Sequence, residues 1–204
     1  MNIISDFSLF VNTCFCYTSI RKTRKGGNDM KITILNGSPR EGGNTEIMAD
    51  AFMEEAQKNG HEVTKLNVGQ MDVIGCMACE SCFSDDGYCV IEDDMQDIIK
   101  VLDETDLVVL ASPIYWFDIT AQLKAVIDRL YARVIKGFHI RESVLLLDSM
   151  SDGVFDAAVA QYKAMTDYVH WTDRGIITIS GMQTKGAMAE HEKLIEVREL
   201  AASL

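Results

Sequence analysis

The chain has 204 residues, enough for one domain of ordinary size with a single core. Its formal net charge of -12 makes nucleic acid a poor partner, because phosphate backbones need basic surfaces; with 48% hydrophobic residues the acidity reads as solubility. The apolar part of the N-terminus, Phe7 to Tyr17, is too short and too polar to span a bilayer.

Residues 1–29 differ from the rest. They mix Phe, Cys and Thr without period and then turn basic at Arg21, Lys22, Arg24 and Lys25, the reverse of the order in a secretory signal. They are expected to be a poorly ordered extension or the product of an upstream start, with one domain over 30–204 and a cytoplasmic location.

From Met30 onward strand and helix patterns alternate. Ile32, Ile34 and Leu35 read as a strand that breaks at Asn36-Gly37-Ser38-Pro39. A helical pattern over 45–59 follows, with Asn44 and Thr45 as N-cap candidates and Gly60 as a stop. A strand, a Gly-rich turn and a helix N-terminus make an anion site, since free backbone N–H groups and the helix dipole both favour a phosphate. It is not a P-loop: Gly37 and Gly42 have the spacing, but Gly43 and Asn44 stand where Lys and Ser/Thr belong. Nor is it Gly-x-Gly-x-x-Gly, because Pro39 occupies the second glycine position.

His61 to Val68 reads as an edge strand, Asp93 to Leu102 as a helix with acidic residues at its start, and Asp106 to Ala111 as a buried central strand. Helices over Ile119–Val134, Phe155–His170 and Glu190–Ala202 alternate with strands over Val144–Leu147 and Gly175–Ser180. Such alternation predicts an α/β domain with a parallel sheet covered on both faces, whose ligands sit beyond the carboxyl ends of the strands. The loop there after the third strand, Pro113-Ile114-Tyr115-Trp116-Phe117, carries three successive aromatics that cannot all be buried, and reads as a wall for a flat ring.

Gly37-Ser38-Pro39-Arg40 with Gly43-Asn44-Thr45, and Ser112-Pro113-Ile114-Tyr115-Trp116 followed by Gln122-Leu123-Lys124 and Ile127-Asp128-Arg129, resemble two motifs of the NAD(P)H-dependent FMN reductase family. The resemblance covers Met30 to the end. It implies a three-layer, doubly wound, flavodoxin-like fold with five parallel strands in the order 2-1-3-4-5. It also implies FMN as cofactor, its phosphate held by Ser38, Pro39, Arg40, Asn44 and Thr45 and its ring lined by Pro113, Ile114, Tyr115, Trp116 and Phe117. Further implications are NAD(P)H as co-substrate, a quinone, nitro- or azo-aromatic or flavin as acceptor, and a homodimer. The loop Ser149 to Gly153 is less typical of the family.

Between the second strand and the following helix lie Cys76, Cys79, Cys82 and Cys89, spaced Cys-x2-Cys-x2-Cys-x6-Cys. With no secretory signal, a disulfide framework is disfavoured. The spacing resembles the compact [4Fe–4S] motif of the iron–sulfur flavoprotein branch of the same family, which would add single-electron exchange with a ferredoxin-like protein. It departs from the ferredoxin run, which has three residues before its fourth cysteine and a proline after it, where Val90 stands here. Four thiolates on zinc, or a loop that holds no metal, are the other two readings. His61, His139, His170 and His191 share no spacing and read as surface or packing residues, and no acid–base constellation stands out, so the chemistry is expected to come from the cofactor. The rival to the enzyme reading is an electron carrier or redox sensor without nicotinamide turnover.

Overall fold

A computed structural model describes residues 29–204 other than 85 and 135, so the expected N-terminal extension lies, up to residue 28, outside the described residues. Five parallel strands, β1 (Lys31–Asn36), β2 (Glu62–Leu66), β3 (Leu107–Pro113), β4 (Glu142–Asp148) and β5 (Thr172–Ile179), form one sheet. Their order is β2-β1-β3-β4-β5. Helices α1 (Asn44–Lys58), α2 (Met95–Leu102), α3 (Ala121–Arg129), α4 (Asp156–Val169) and α5 (Leu194–Ala202) cover the sheet. Among the described residues, no helix is long and apolar enough to cross a membrane.

Alternation along each strand makes two cores. Ile32 and Ile34, Leu107 and Val109, and Val144 and Leu146 face α1 and α5 with Met48, Phe52 and Val197. Leu35, Val108, Leu110, Leu145 and Leu147 face the other layer with Ile98, Leu123 and Tyr162. The central strand β3 is buried at every residue, whereas β2 alternates exposed and half-buried residues, as an edge strand should.

Several boundaries differ from the sequence expectation. α1 begins one residue early, with Gly43 as N-cap, so Asn44 and Thr45 are its first two residues and not its cap. α2 begins at Met95 because the Asp93 carboxylate accepts the Met95 N–H at 3.1 Å, which closes a turn before the helix. The expected helix over Ile119–Val134 is α3, capped by the Thr120 side chain on the Leu123 N–H, followed by a tighter 3-10 turn over Leu130–Arg133. β5 starts three residues before Gly175, paired with β4 across an irregularity at Ser143/Val144. A 3-10 turn over Ala187–Glu190 occupies the start expected for the last helix.

Candidate functional site

The loops after β1, β3 and β4 lie at the carboxyl end of the sheet, and the first is tied to β3 and to the start of α3. The Gly37 N–H donates to the Ala111 carbonyl at 2.8 Å, and the Thr120 hydroxyl donates to the Gly37 carbonyl at 2.8 Å. A Cβ at Gly37 would lie 2.7 Å from Leu123 Cβ, so only glycine lets the loop pass this close to α3. Beyond it, the Asn36 side chain accepts the Ser38 N–H at 3.1 Å, and Ser38 Oγ accepts the Arg40 N–H at 3.2 Å. These bonds curl the chain into a cradle over the start of α1. The α1 ladder begins with Ile47 N–H to the Gly43 carbonyl, which leaves the N–H groups of Asn44, Thr45 and Glu46 ahead of it as anion donors. Among the described residues the exposed Arg40 pairs with no carboxylate, and the buried Ser38 hydroxyl donates to nothing.

The side chains of Asn44 and Thr45 are otherwise engaged. Asn44 donates to the Thr184 carbonyl at 2.9 Å and accepts the Gly186 and Met188 N–H groups at 2.9 and 3.2 Å, stitching the loop after β5 to α1. Thr45 Oγ1 donates to Asp148 Oδ1 at 2.5 Å. Each therefore offers an anion its backbone N–H. Asp148 ends β4 and is 4% exposed; burial pushes its pKa up to about 6, only partly opposed by the Thr45 hydroxyl and the Arg40 charge. Sequence reading passed over Asp148, although a carboxylate directly after an apolar strand, at the ligand end of the sheet, is a usable signal. Gly69 was passed over too. It follows β2, and a Cβ there would sit 2.3 Å from the Ser38 carbonyl oxygen.

Pro113 is buried at the end of β3 and Ile114 is half-buried, with its N–H on the Asp148 carbonyl at 2.8 Å. Tyr115 to Asp118 then make a tight turn, Tyr115 N–H to Asp118 O at 2.9 Å. Inside it Trp116 and Phe117 have φ of +51° and +72°, a conformation bulky residues adopt only under constraint. Trp116 is 93% exposed and Phe117 56%, in edge-to-face contact at 6.1 Å. These rings are presented to solvent at the carboxyl end of the sheet.

The four cysteines lie in the segment between β2 and α2, all as free thiols, and all four line one cavity with Arg129 and Tyr131. Left-handed backbone at Ala78 and Glu80, φ +52° and +59°, wraps the chain around that cavity. The Ser81 N–H and hydroxyl hold the Cys79 thiol below its ordinary pKa, while burial and the other three thiols push Cys82 up. Among the described residues, no three His, Cys, Asp or Glu side chains converge closely enough to hold one metal ion. Single-ion coordination draws sulfurs to about 2.3 Å from the metal, whereas an iron–sulfur cluster spreads its thiolates over several irons. An all-sulfur donor set on one cavity is chemically suited to either group. The acidic run before α2 serves as a helix start, as expected, but Asp93 also forms a buried ion pair with Arg129 at 2.8 Å, which sequence spacing could not reveal.

Fold and loop arrangement define a flavodoxin-like α/β domain with its ligand face at the carboxyl edge of the sheet. Residues 30–189 match the model of the NADPH-dependent FMN reductase family, and the chain belongs to that family. It is similar to an iron–sulfur flavoprotein of Archaeoglobus fulgidus, 40% identical over 101 residues, 50% of this chain and 46% of that one, so the match spans about half of that relative. Among solved structures it resembles an NAD(P)H:quinone oxidoreductase from Methanothermobacter marburgensis, with TM-score 0.69 and 17% identity over 86% of this chain and 96% of that one. It also resembles an FMN-dependent NADH-azoreductase from Bacillus anthracis in complex with FMN, with TM-score 0.64 and 15% identity over 85% and 98%. At these identities the two structures speak to the fold.

Proposed function

We propose that the chain is an FMN-dependent oxidoreductase that takes reducing equivalents from NAD(P)H and delivers them to a quinone, a nitro- or azo-aromatic, or a free flavin. Bound FMN would supply the redox chemistry, accepting hydride from a nicotinamide and returning electrons to the acceptor. The chain's own residues do the rest. The N–H groups of Asn44, Thr45 and Glu46 and the Ser38 hydroxyl would bind the phosphate, and the Arg40 charge would neutralise it. Tyr115, Trp116 and Phe117 would hold a flat ring and exclude water from one side, leaving space above it for nicotinamide and acceptor in turn.

The observation that carries this reading is the Thr120 bond to Gly37. It couples the phosphate cradle and the aromatic turn to one helix start, so that a phosphate and a flat ring belonging to one ligand are received together. Two copies of the chain would form the working unit, and the location would be cytoplasmic.

A second reading is supported by the four thiols on one cavity and by the likeness to iron–sulfur flavoproteins. Cys76, Cys79, Cys82 and Cys89 would hold a [4Fe–4S] cluster, and electrons would pass singly to or from a ferredoxin-like protein. One experiment tests both: an anaerobic absorption spectrum with iron and sulfide assays, then NAD(P)H consumption with menadione. Bound FMN and turnover above about 1 per second support the enzyme. Four irons per chain without nicotinamide turnover favours the carrier. A chain that neither retains nor binds FMN overturns the proposal.

A further inference from the structure

The cysteine loop is entered and left at one guanidinium. Arg129, at the end of α3, is buried. Its Nη1 donates to the Ile74 carbonyl and to Asp93 Oδ2, each at 2.8 Å. Its Nη2 donates to Asp93 Oδ1 at 3.1 Å and, more weakly, to the Ile91 carbonyl at 3.4 Å. Ile74 lies two residues before Cys76, and Ile91 two residues after Cys89. Asp93 in turn accepts the N–H groups of Ile74 at 2.9 Å and Met95 at 3.1 Å. One ion pair thus ties both ends of the loop to each other, to α2 and to α3. A turn further on, Arg133 reaches the middle of the loop. Its Nη1 donates to the Gly87 carbonyl at 2.6 Å, while Nε and Nη2 hold Asp103 at 2.9 and 2.7 Å.

One nitrogen of this arrangement is spare. Arg129 Nε is buried and, among the described residues, has no hydrogen-bond partner. Leaving such a donor unsatisfied costs about 1–3 kcal/mol, so its burial calls for a cause. Arg129 lines the same cavity as the four thiols. A free N–H on a side chain that lines a cavity of four thiols suits a sulfur that carries negative charge.

We propose that Arg129 is the positioning residue of the cysteine loop: its two Nη groups pin the loop's ends, and its Nε supplies an N–H donor to a sulfur of that cavity when the thiolates share an iron–sulfur group. The first half stands on the bonds alone; the second rests on the iron–sulfur reading above. A donor to a ligating sulfur stabilises the more negative, reduced state and raises the group's potential.

The test uses the full chain as wild type, Arg129→Lys, which keeps the charge and loses the fork and Nε, and Arg133→Lys, which loosens the loop at Gly87 without facing a thiol. Limited proteolysis of the iron-free proteins reads the latch. Cleavage within residues 75–90 should be at least about tenfold faster in Arg129→Lys, because that variant shifts the local opening equilibrium of the loop. After anaerobic loading with iron and sulfide, a tenfold loss of electron affinity in Arg129→Lys appears as a midpoint about 59 mV more negative for a one-electron couple, with Arg133→Lys at the wild-type value. Equal cleavage of Arg129→Lys and wild type overturns the latch. An unshifted potential, or an equal shift in Arg133→Lys, overturns the Nε donor. A wild-type chain that takes up no iron overturns the iron–sulfur reading and the Nε half with it, while proteolysis still decides the latch. Should Arg129→Lys not fold, Asp93→Asn, which keeps the size and removes the charge gripping the fork, replaces it in the proteolysis, and Arg129→Met, which keeps the stem and lacks Nε, replaces it in the potential measurement.

Discussion

Gly69→Ala is the substitution that separates this account of the phosphate cradle from a generic βα turn. An added methyl would stand 2.3 Å from the Ser38 carbonyl oxygen, 2.4 Å from its carbon and 2.6 Å from the Gly37 carbonyl oxygen. All three are backbone atoms, so no side chain can swing aside, and restoring ordinary contact requires a shift of more than 1 Å. The cradle cannot move freely, because Gly37 is bonded to Ala111 on one side and to Thr120 on the other. The strain should therefore divide between a loss of about 1–3 kcal/mol of stability and a displaced Ser38. Losing one or two hydrogen bonds to a charged group, at about 1.5–3 kcal/mol each, weakens FMN binding by at least about tenfold and by more than a hundredfold if both go. Fluorescence titration with FMN and thermal melts of the ligand-free protein measure the two effects. Gly75→Ala is the control, since nothing lies within 4 Å of its added Cβ. A Gly69→Ala protein with wild-type Kd and Tm would refute the close packing on which the cradle depends.

Asp148 gives a pH signature. Its pKa rises from 3.8 to about 6 on folding, so the folded state binds this proton more tightly; the stability it contributes is full below about pH 4 and is lost as pH rises through 6. The shift corresponds to about 3 kcal/mol. Asp148→Asn should thus be more stable than wild type at pH 7.5 and converge with it at pH 4, as denaturant midpoints without FMN would show; parallel curves would count against it. Arg40→Gln should raise the FMN Kd by about tenfold at low salt and by less at high salt, because its charge is exposed and screened. Trp116→Ala should leave Tm nearly unchanged, since the ring is 93% exposed, yet slow reduction by NAD(P)H by about threefold to tenfold, the worth of one aromatic contact. Equal rates in stopped-flow reduction would remove Trp116 from the ring wall.

The elements that sequence reading recovered best are those whose burial pattern is local. The continuous apolar run of Leu107 to Ala111 and the alternation in β2 report directly how many faces of each strand are covered. The turn after β1 was legible for the same reason, as Gly37, Ser38 and Gly43 act within a few residues of one another. Boundaries slipped where one distant polar atom decides them. Asp93 takes the Met95 N–H and so delays α2, and Thr120 rather than Ile119 opens α3 because its hydroxyl also serves Gly37.

What stayed hidden is long-range pairing between polar groups that look ordinary in sequence. Asn44 and Thr45 have the chemistry of helix caps, and nothing local says that Thr184, Gly186, Met188 and Asp148 will take their side chains. Arg129 stands 36 positions from Asp93, and its role as a latch exists only once α3 is folded against the cysteine segment. Cysteine spacing marks the segment as unusual, but it does not say what keeps an exposed loop with left-handed residues at Ala78, Glu80 and Asp86 in one shape. That work falls to two arginines, Arg129 at the end of α3 and Arg133 in the 3-10 turn that follows it, and the cap at the other end of α3 makes the Thr120 bond to Gly37. α3 is therefore the mechanical link between the two candidate centres.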